Sequence, residues 1–197
     1  MPNHEVRFEV RQPPRHARLQ VALRVAIALL LALFHATAAW WLAVLYLLLP
    51  IVAAISIQHL GARGYAERAG KALLQGLHGW NAFVAYMLFV TDRFPAEPED
   101  LALVSFEVEP SGRVDAAHAL LRLVMSLPEF LVVLISGWAA ALCSVVAAIS
   151  VLLVERVPPG LWRFLSSYVA FQARWLVYHA SLVERRALTG PNRWRAS

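Results

Sequence analysis

At 197 residues, 59% hydrophobic and only 16% charged, the chain is too apolar for an ordinary soluble domain, which carries about 25% charged residues. Its formal charge is +5, but the arginines flank apolar stretches and no nucleic-acid motif accompanies them, so a nucleic-acid partner is not expected. A single cysteine, Cys143, excludes a disulfide within the chain and fits a buried thiol.

Residues 1–24 carry Arg7, Arg11, Arg15, Arg18 and Arg24 against Glu5 and Glu9. Basic flanks at both ends place both termini in the cytoplasm by the positive-inside rule, and they attract anionic lipid. Glu5 to Val10 alternates apolar and charged residues, the pattern of a short strand. From Arg24 to Arg63 no Asp, Glu, Lys or Arg intervenes. About 20 apolar residues cross a bilayer, so this window has room for a hairpin. We read it as Leu19 to Phe34, a reversal at His35-Ala36-Thr37, and a return from Ala38 to Ile57. Arg24 and Ala36-Thr37-Ala38 imitate a signal peptide, but the apolar run continues through Trp40-Trp41, which argues for an uncleaved span. After Gly61–Gly64, Ala69 to Val90 reads as a helix with an apolar face and a thin polar stripe of Lys71, Gln75, His78 and Ala82. That pattern suits a helix lying in the headgroup layer.

The segment 92–118 holds seven acidic residues against Arg93 and Arg113. It opens with a proline-rich linker at 96–102. Val104 to Val108 then alternates as a second strand, able to pair with the first if both lie on one side of the membrane. A second hairpin follows: Ala119 to Ile135, a reversal at Ser136-Gly137, and Trp138 to Val154. Pro158-Pro159-Gly160 stops it. Leu161 to Val183 is a second amphipathic helix, with Arg163, Ser167, Ala170 and Arg174 on its polar stripe.

The two halves match in order. Phe8-Glu9-Val10 and Arg24 recur as Phe106-Glu107-Val108 and Arg122, both 98 residues later. Ile51–Ile57 recurs as Val145–Val151, and Tyr86 and Asp92-Arg93 as Tyr178 and Glu184-Arg185, 92 later. The expected fold is therefore an all-α integral membrane protein of two tandem repeats. Each repeat is a short strand, a transmembrane hairpin and an amphipathic interfacial helix. That gives about four transmembrane helices, or six if the third helix of each repeat crosses. The units are a first repeat at 1–95, an acidic linker at 96–102, a second repeat at 103–187 and a basic tail at 188–197.

Trp80, Tyr86 and Thr91-Asp92-Arg93-Phe94-Pro95, with the linker Arg156–Leu161, resemble a bacterial membrane family known only as a domain of unknown function. Its repeat unit ends in Tyr followed by a Thr-Asp-Arg-aromatic-Pro motif. The second repeat departs there: Val183-Glu184-Arg185-Arg186-Ala187 lacks the Thr and the Pro. The resemblance implies a bacterial inner-membrane location and brings no reaction with it.

No catalytic constellation is present, and no enzymatic activity or cofactor is expected. None of the seven histidines has the i, i+4 spacing of a helical metal site. Glu129, inside a predicted span, is the intramembrane polar candidate, because buried carboxylates mark ion paths by default. Lys71, Arg163 and Arg174 are the headgroup candidates. The expected role is a non-enzymatic scaffold or accessory subunit contacting anionic phospholipid and a protein partner or second copy. The alternative is a small transporter or channel component, which requires the third helices to cross.

Overall fold

The computed structural model describes residues 7–33, 38–108, 110 and 114–184. The His35 reversal, Arg185 and the basic tail lie outside them. Strand β1 (Arg7–Val10) leads into α1 (Arg18–Leu33) and α2 (Ala38–Gly64). A π-helical turn, Tyr65–Ala69, opens α3 (Gly70–Met87). The short α4 (Pro98–Leu101) and β2 (Val104–Glu107) follow, then α5 (Ala116–Met125), α6 (Leu127–Val154) and α7 (Pro159–His179). The fold is mostly helical, and α2 and α6 contain stretches long and apolar enough to cross a membrane.

The two strands pair with each other, antiparallel, with Phe8 opposite Phe106 and Val10 opposite Val104. The helices exchange partners in the same sense: α1 packs on α6, and α5 packs on α2. Helices α3 and α7 lie against each other and run in opposite directions. Trp162 at the start of α7 donates its indole N–H to the Val90 carbonyl just past α3 (3.0 Å). At the other end, the Tyr65 hydroxyl before α3 donates to the Ala180 carbonyl just past α7.

One expectation fails. No reversal occurs at Ser136-Gly137, because α6 runs unbroken from Leu127 to Val154. Gly137 serves a different need: a Cβ there would sit 2.9 Å from the Tyr168 hydroxyl, so glycine lets α7 approach α6 closely. The break lies ten residues earlier, at Ser126 before Pro128. The second half thus holds a short α5 of about 15 Å and a long α6 of about 42 Å, not two matched spans. Trp138 consequently sits in mid-helix and not at an interface turn.

Both central helices end in the same cap. After α3, Phe89 (φ 60°) donates its N–H to Tyr86 and Val90 donates to Ala85. After α7, Ser181 (φ 59°) donates to Tyr178 and Leu182 to Val177. These are Schellman motifs, in which a left-handed residue lets the chain turn back over the last carbonyls. Glycine is the usual occupant. Phe89 compensates by packing its ring against Arg24, 4.2 Å from the guanidinium. Ser181 makes no such contact, and its buried hydroxyl has no hydrogen-bond partner among the described residues. Ser181→Gly is therefore expected to raise stability by about 1 kcal/mol. Denaturant unfolding of the purified protein measures it, and a loss of stability would show that the hydroxyl is used.

The exterior carries the membrane signal. Along α6, Leu131, Ile135, Trp138, Leu142, Val145, Ile149 and Leu152 are exposed and fall on one face. Leu29, Leu30 and Leu33 on α1 and Leu47, Leu48, Ile51 and Ile55 on α2 are exposed as well. An apolar patch on a monomer covers only a few hundred Å2 as a rule. Such continuous leucine and valine faces on three helices exceed that pattern.

Candidate functional site

The residues that stand out in sequence converge on two equivalent bolts. Arg24 is buried at 3% exposure and reaches out of α1 to the end of α3. Its Nε donates to the Tyr86 carbonyl (2.7 Å) and its Nη2 to the Thr91 carbonyl (2.8 Å), with the guanidinium 4.1 Å from the Tyr86 ring centre. Arg122 does the same for α7. Its Nη1 donates to the Tyr178 carbonyl and to the Val183 carbonyl (2.8 Å), and its guanidinium lies 4.3 Å from the Tyr178 ring. The last carbonyls of a helix are its negative pole, so a cation there is doubly favoured.

The Thr-Asp-Arg-Phe-Pro motif completes the first bolt. Asp92 accepts from the Ala17 N–H with both carboxylate oxygens (3.3 Å each), tying the loop to the start of α1. The Tyr86 hydroxyl donates to Gln20 on α1 (2.7 Å). Phe94 packs edge-on against Tyr86, with ring centres 5.4 Å apart. Arg93 is exposed and pairs with Asp100 at 3.8 Å, and Pro95 ends the turn. His16, buried beside the motif, reaches the Phe89 carbonyl at 3.2 Å. Burial lowers the His16 pKa, while Asp92 and the Phe89 carbonyl pull it upward. The motif therefore joins two helices, a longer-range role than the local turn its residue types suggest. In the second half Glu184 takes the place of Asp92 but is exposed.

The headgroup candidates divide. Lys71 and Arg163 are exposed, each on the first half of its helix. Arg174 is half-buried with its Nε shut off from solvent. Each polar stripe is exposed at its start (Lys71, Gln75; Arg163, Ser167) and covered further along, on α3 by the strand pair. His78, at mid-length in α3, donates through Nε2 to the carbonyls of Val104 (2.7 Å) and Leu101 (3.2 Å) and stacks on Phe106. Residues 168–170 and 175–180 of α7 and its end are buried on every face, so only its beginning behaves as a surface helix.

Glu129 is 2% exposed on α6, and its Oε2 has no hydrogen-bond partner among the described residues. One turn earlier the sequence conceals a polar node. The His179 Nε2–H donates to the Tyr46 carbonyl (2.6 Å), its Nδ1 lies 2.6 Å from the Ser126 hydroxyl, and that hydroxyl is 2.6 Å from the Arg122 carbonyl. Pro50 explains the first contact. It has no N–H to give the carbonyl four residues before it, which is Tyr46, and His179 supplies the missing donor. A proline inside an apolar helix, with a histidine elsewhere to answer it, was the available signal. Among the described residues no group of three or more His, Cys, Asp or Glu side chains is placed to hold a metal ion.

No curated protein and no solved structure matches the chain. Residues 116–186, the stretch that holds α5, α6, α7 and the cap bolted by Arg122, match a family model described as a domain of unknown function, DUF4389.

Proposed function

We propose that the chain is a non-enzymatic scaffold or accessory subunit of the bacterial inner membrane, built by internal duplication. It presents its paired strands and acidic linker to the cytoplasm for a protein partner or second copy. The duplication rests on the two bolts. Arg24 and Arg122, 98 residues apart, each donate to a tyrosine carbonyl, Tyr86 or Tyr178, and to the carbonyl five residues beyond it, Thr91 or Val183, Arg24 through Nε and Nη2 and Arg122 through Nη1. Membrane insertion rests on the exposed apolar faces of α1, α2 and α6.

The observation that carries the choice of scaffold over transporter is the position of the strand pair. A small transporter or channel component of three-plus-three inverted design needs α3 and α7 to cross. The sheet sits against the middle of α3, where His78 meets Val104 and Phe106. A crossing α3 would bring a two-stranded sheet with two open edges, and the exposed Glu107, to bilayer depth. Hydrocarbon leaves such edges unsatisfied at several kcal/mol per group. With α3 and α7 lying along the cytoplasmic face, the sheet is in water and the edges are solvated.

The test is an impermeant maleimide on a single cysteine at Glu99, exposed on α4, in a Cys143→Ala background. Protection in intact cells and labelling after permeabilisation is the expected result. Labelling in intact cells would make the halves inverted and favour transport. No labelling under either condition would bury the linker and defeat the scaffold geometry.

Lipid charge gives a second prediction. Reversing Lys71 and Arg163 to Glu is expected to weaken anionic-lipid association by about 1 kcal/mol per site. Retention of anionic lipid by the purified protein, scored against zwitterionic lipid, reads this out. Unchanged retention would remove both residues from the lipid contact.

A further inference from the structure

The loop between α6 and α7 is stitched to the strap of residues 11–17 that joins β1 to α1. Gln12 donates through Nε2 to the Val157 carbonyl (2.9 Å), and the His16 N–H donates to the Glu155 carbonyl (2.8 Å). Arg18, at the start of α1, pairs with the Glu155 carboxylate at 3.3 Å. Between strap and loop lies an open cleft of about 380 Å3. Pro13 and Pro14 line it from the strap, Pro158 and Pro159 from the loop. Proline fixes its own φ, so these walls are set before anything binds.

The cleft has an apolar side and a cationic side. The apolar side is the end of α6, where Val154 and, one turn back, Ser150 line it. The same i, i+4 ridge continues outside the cleft through Val146 and Leu142, which are 56% and 70% exposed. From Val154 to Leu142 the ridge runs for about 18 Å. That is close to the depth of one leaflet of a hydrocarbon core about 30 Å thick. The cationic side is Arg156 and Arg163. Arg156 lines the cleft, and Ser150 donates to its carbonyl (2.7 Å). Its exposed side chain makes no hydrogen bond or ion pair among the described residues. Arg163 lies one turn beyond Pro159 on α7 and donates its Nε to the Pro159 carbonyl (3.4 Å), which holds its guanidinium at the rim. The neighbouring Glu155 carboxylate is held by Arg18, so it does not cancel these two charges. The start of α7 adds the positive end of its dipole to them.

We infer that this cleft seats one anionic phospholipid of the cytoplasmic leaflet, with its glycerophosphate group against Arg156 and Arg163 and an acyl chain along the α6 ridge. The volume is at the low end for small-ligand sites, about 300–1,000 Å3: room for a headgroup and too little for its chains. The chains therefore leave by the ridge, where α6 is exposed. A soluble phosphate compound would leave that ridge bare, and a soluble protein could not follow it to bilayer depth. The inference rests on the proposed membrane placement of α6 and α7, and it adds to that placement one lipid at one defined position.

The full-length chain is purified into nanodiscs of phosphatidylcholine with a minority of phosphatidylglycerol, and the lipids it keeps on release are counted by native mass spectrometry. The expected result is one phosphatidylglycerol per chain, kept in preference to phosphatidylcholine. Arg156→Gln or Arg163→Gln is expected to weaken the preference about fivefold, and the two together about thirtyfold. Arg68→Gln, the same charge change on the exposed π turn, is expected to leave it unaltered. Val154→Trp keeps every charge, fills the apolar side of the cleft and is expected to abolish retention. A preference that falls equally in Arg68→Gln overturns the site, since it then follows net charge. So does one that survives Val154→Trp, or one that excess glycerol phosphate displaces, which would make the ligand a soluble phosphate. A chain that enters nanodiscs and keeps both lipids equally overturns the site alone. A chain that enters none overturns the membrane placement, and the site falls with it.

Discussion

Arg122→Leu is expected to lower stability by about 3 kcal/mol. Leucine introduces no uncompensated charge, so the loss measures what the guanidinium does. The Tyr178 carbonyl keeps its bond from the Ser181 N–H, but the Val183 carbonyl loses its guanidinium donor. A buried group left unpaired costs about 1–3 kcal/mol. Losing a cation at the end of α7 adds up to about 1 to 2 kcal/mol more. Arg122→Lys is expected to recover less than half, because an ammonium has no planar fork to reach two carbonyls while lying over a ring. Arg24→Leu mirrors the loss at the end of α3. The two arginines share no partner, so the double variant is expected to be additive. Denaturant unfolding followed by helicity in one fixed detergent measures all four. A change below about 1 kcal/mol for Arg122→Leu would mean that the bolt is not what holds α7.

The residues of these bolts were legible as recurrences, though their contact with each other was not, and the reason they recur is physical. An arginine in an apolar helix is expensive unless its donors are filled. Its recurrence at 122, with tyrosine recurring at 178, marks a contact that both halves need. The strand pairing was legible for a similar reason, since two short alternating strands are marginal unless they find each other. The reversal at Ser136-Gly137 misled because glycine signals a turn and a close approach with the same letter, and only the Tyr168 ring across the seam separates the two. The enclosure of α7 was hidden as well. Its polar stripe is exposed at Arg163 and Ser167, but beyond them α6, α3 and α2 pack round the helix, and a half-covered stripe reads in sequence like a wholly exposed one. The Tyr46–His179–Ser126 node joins residues up to 133 positions apart, and nothing local announces it except Pro50.

The exposed face of α6 sets up the other large effect. Leu142 is 70% exposed near the middle of the helix, so replacing it by Arg removes almost no packing. What the substitution reports is the medium outside. In water, an exposed leucine-to-arginine change is worth within about 0.5 kcal/mol and improves solubility. In hydrocarbon, an arginine at mid-depth costs at least about 2.5 kcal/mol, which lowers the inserted fraction on the order of a hundredfold. Leu142→Arg is thus expected to lose the membrane fraction of cells and be degraded, whereas Leu142→Ala stays inserted. Ser167→Arg, on the exposed start of α7, controls for added charge and is expected to leave insertion unchanged. If Leu142→Arg fractionates like the parent, the apolar stripe of α6 faces something other than lipid, and a second copy of the chain becomes the occupant to test by crosslinking at Ile135 and Trp138. If Leu142→Arg and Ser167→Arg both fail, the chain tolerates no added charge anywhere, and the assignment of α7 to the aqueous face falls with it.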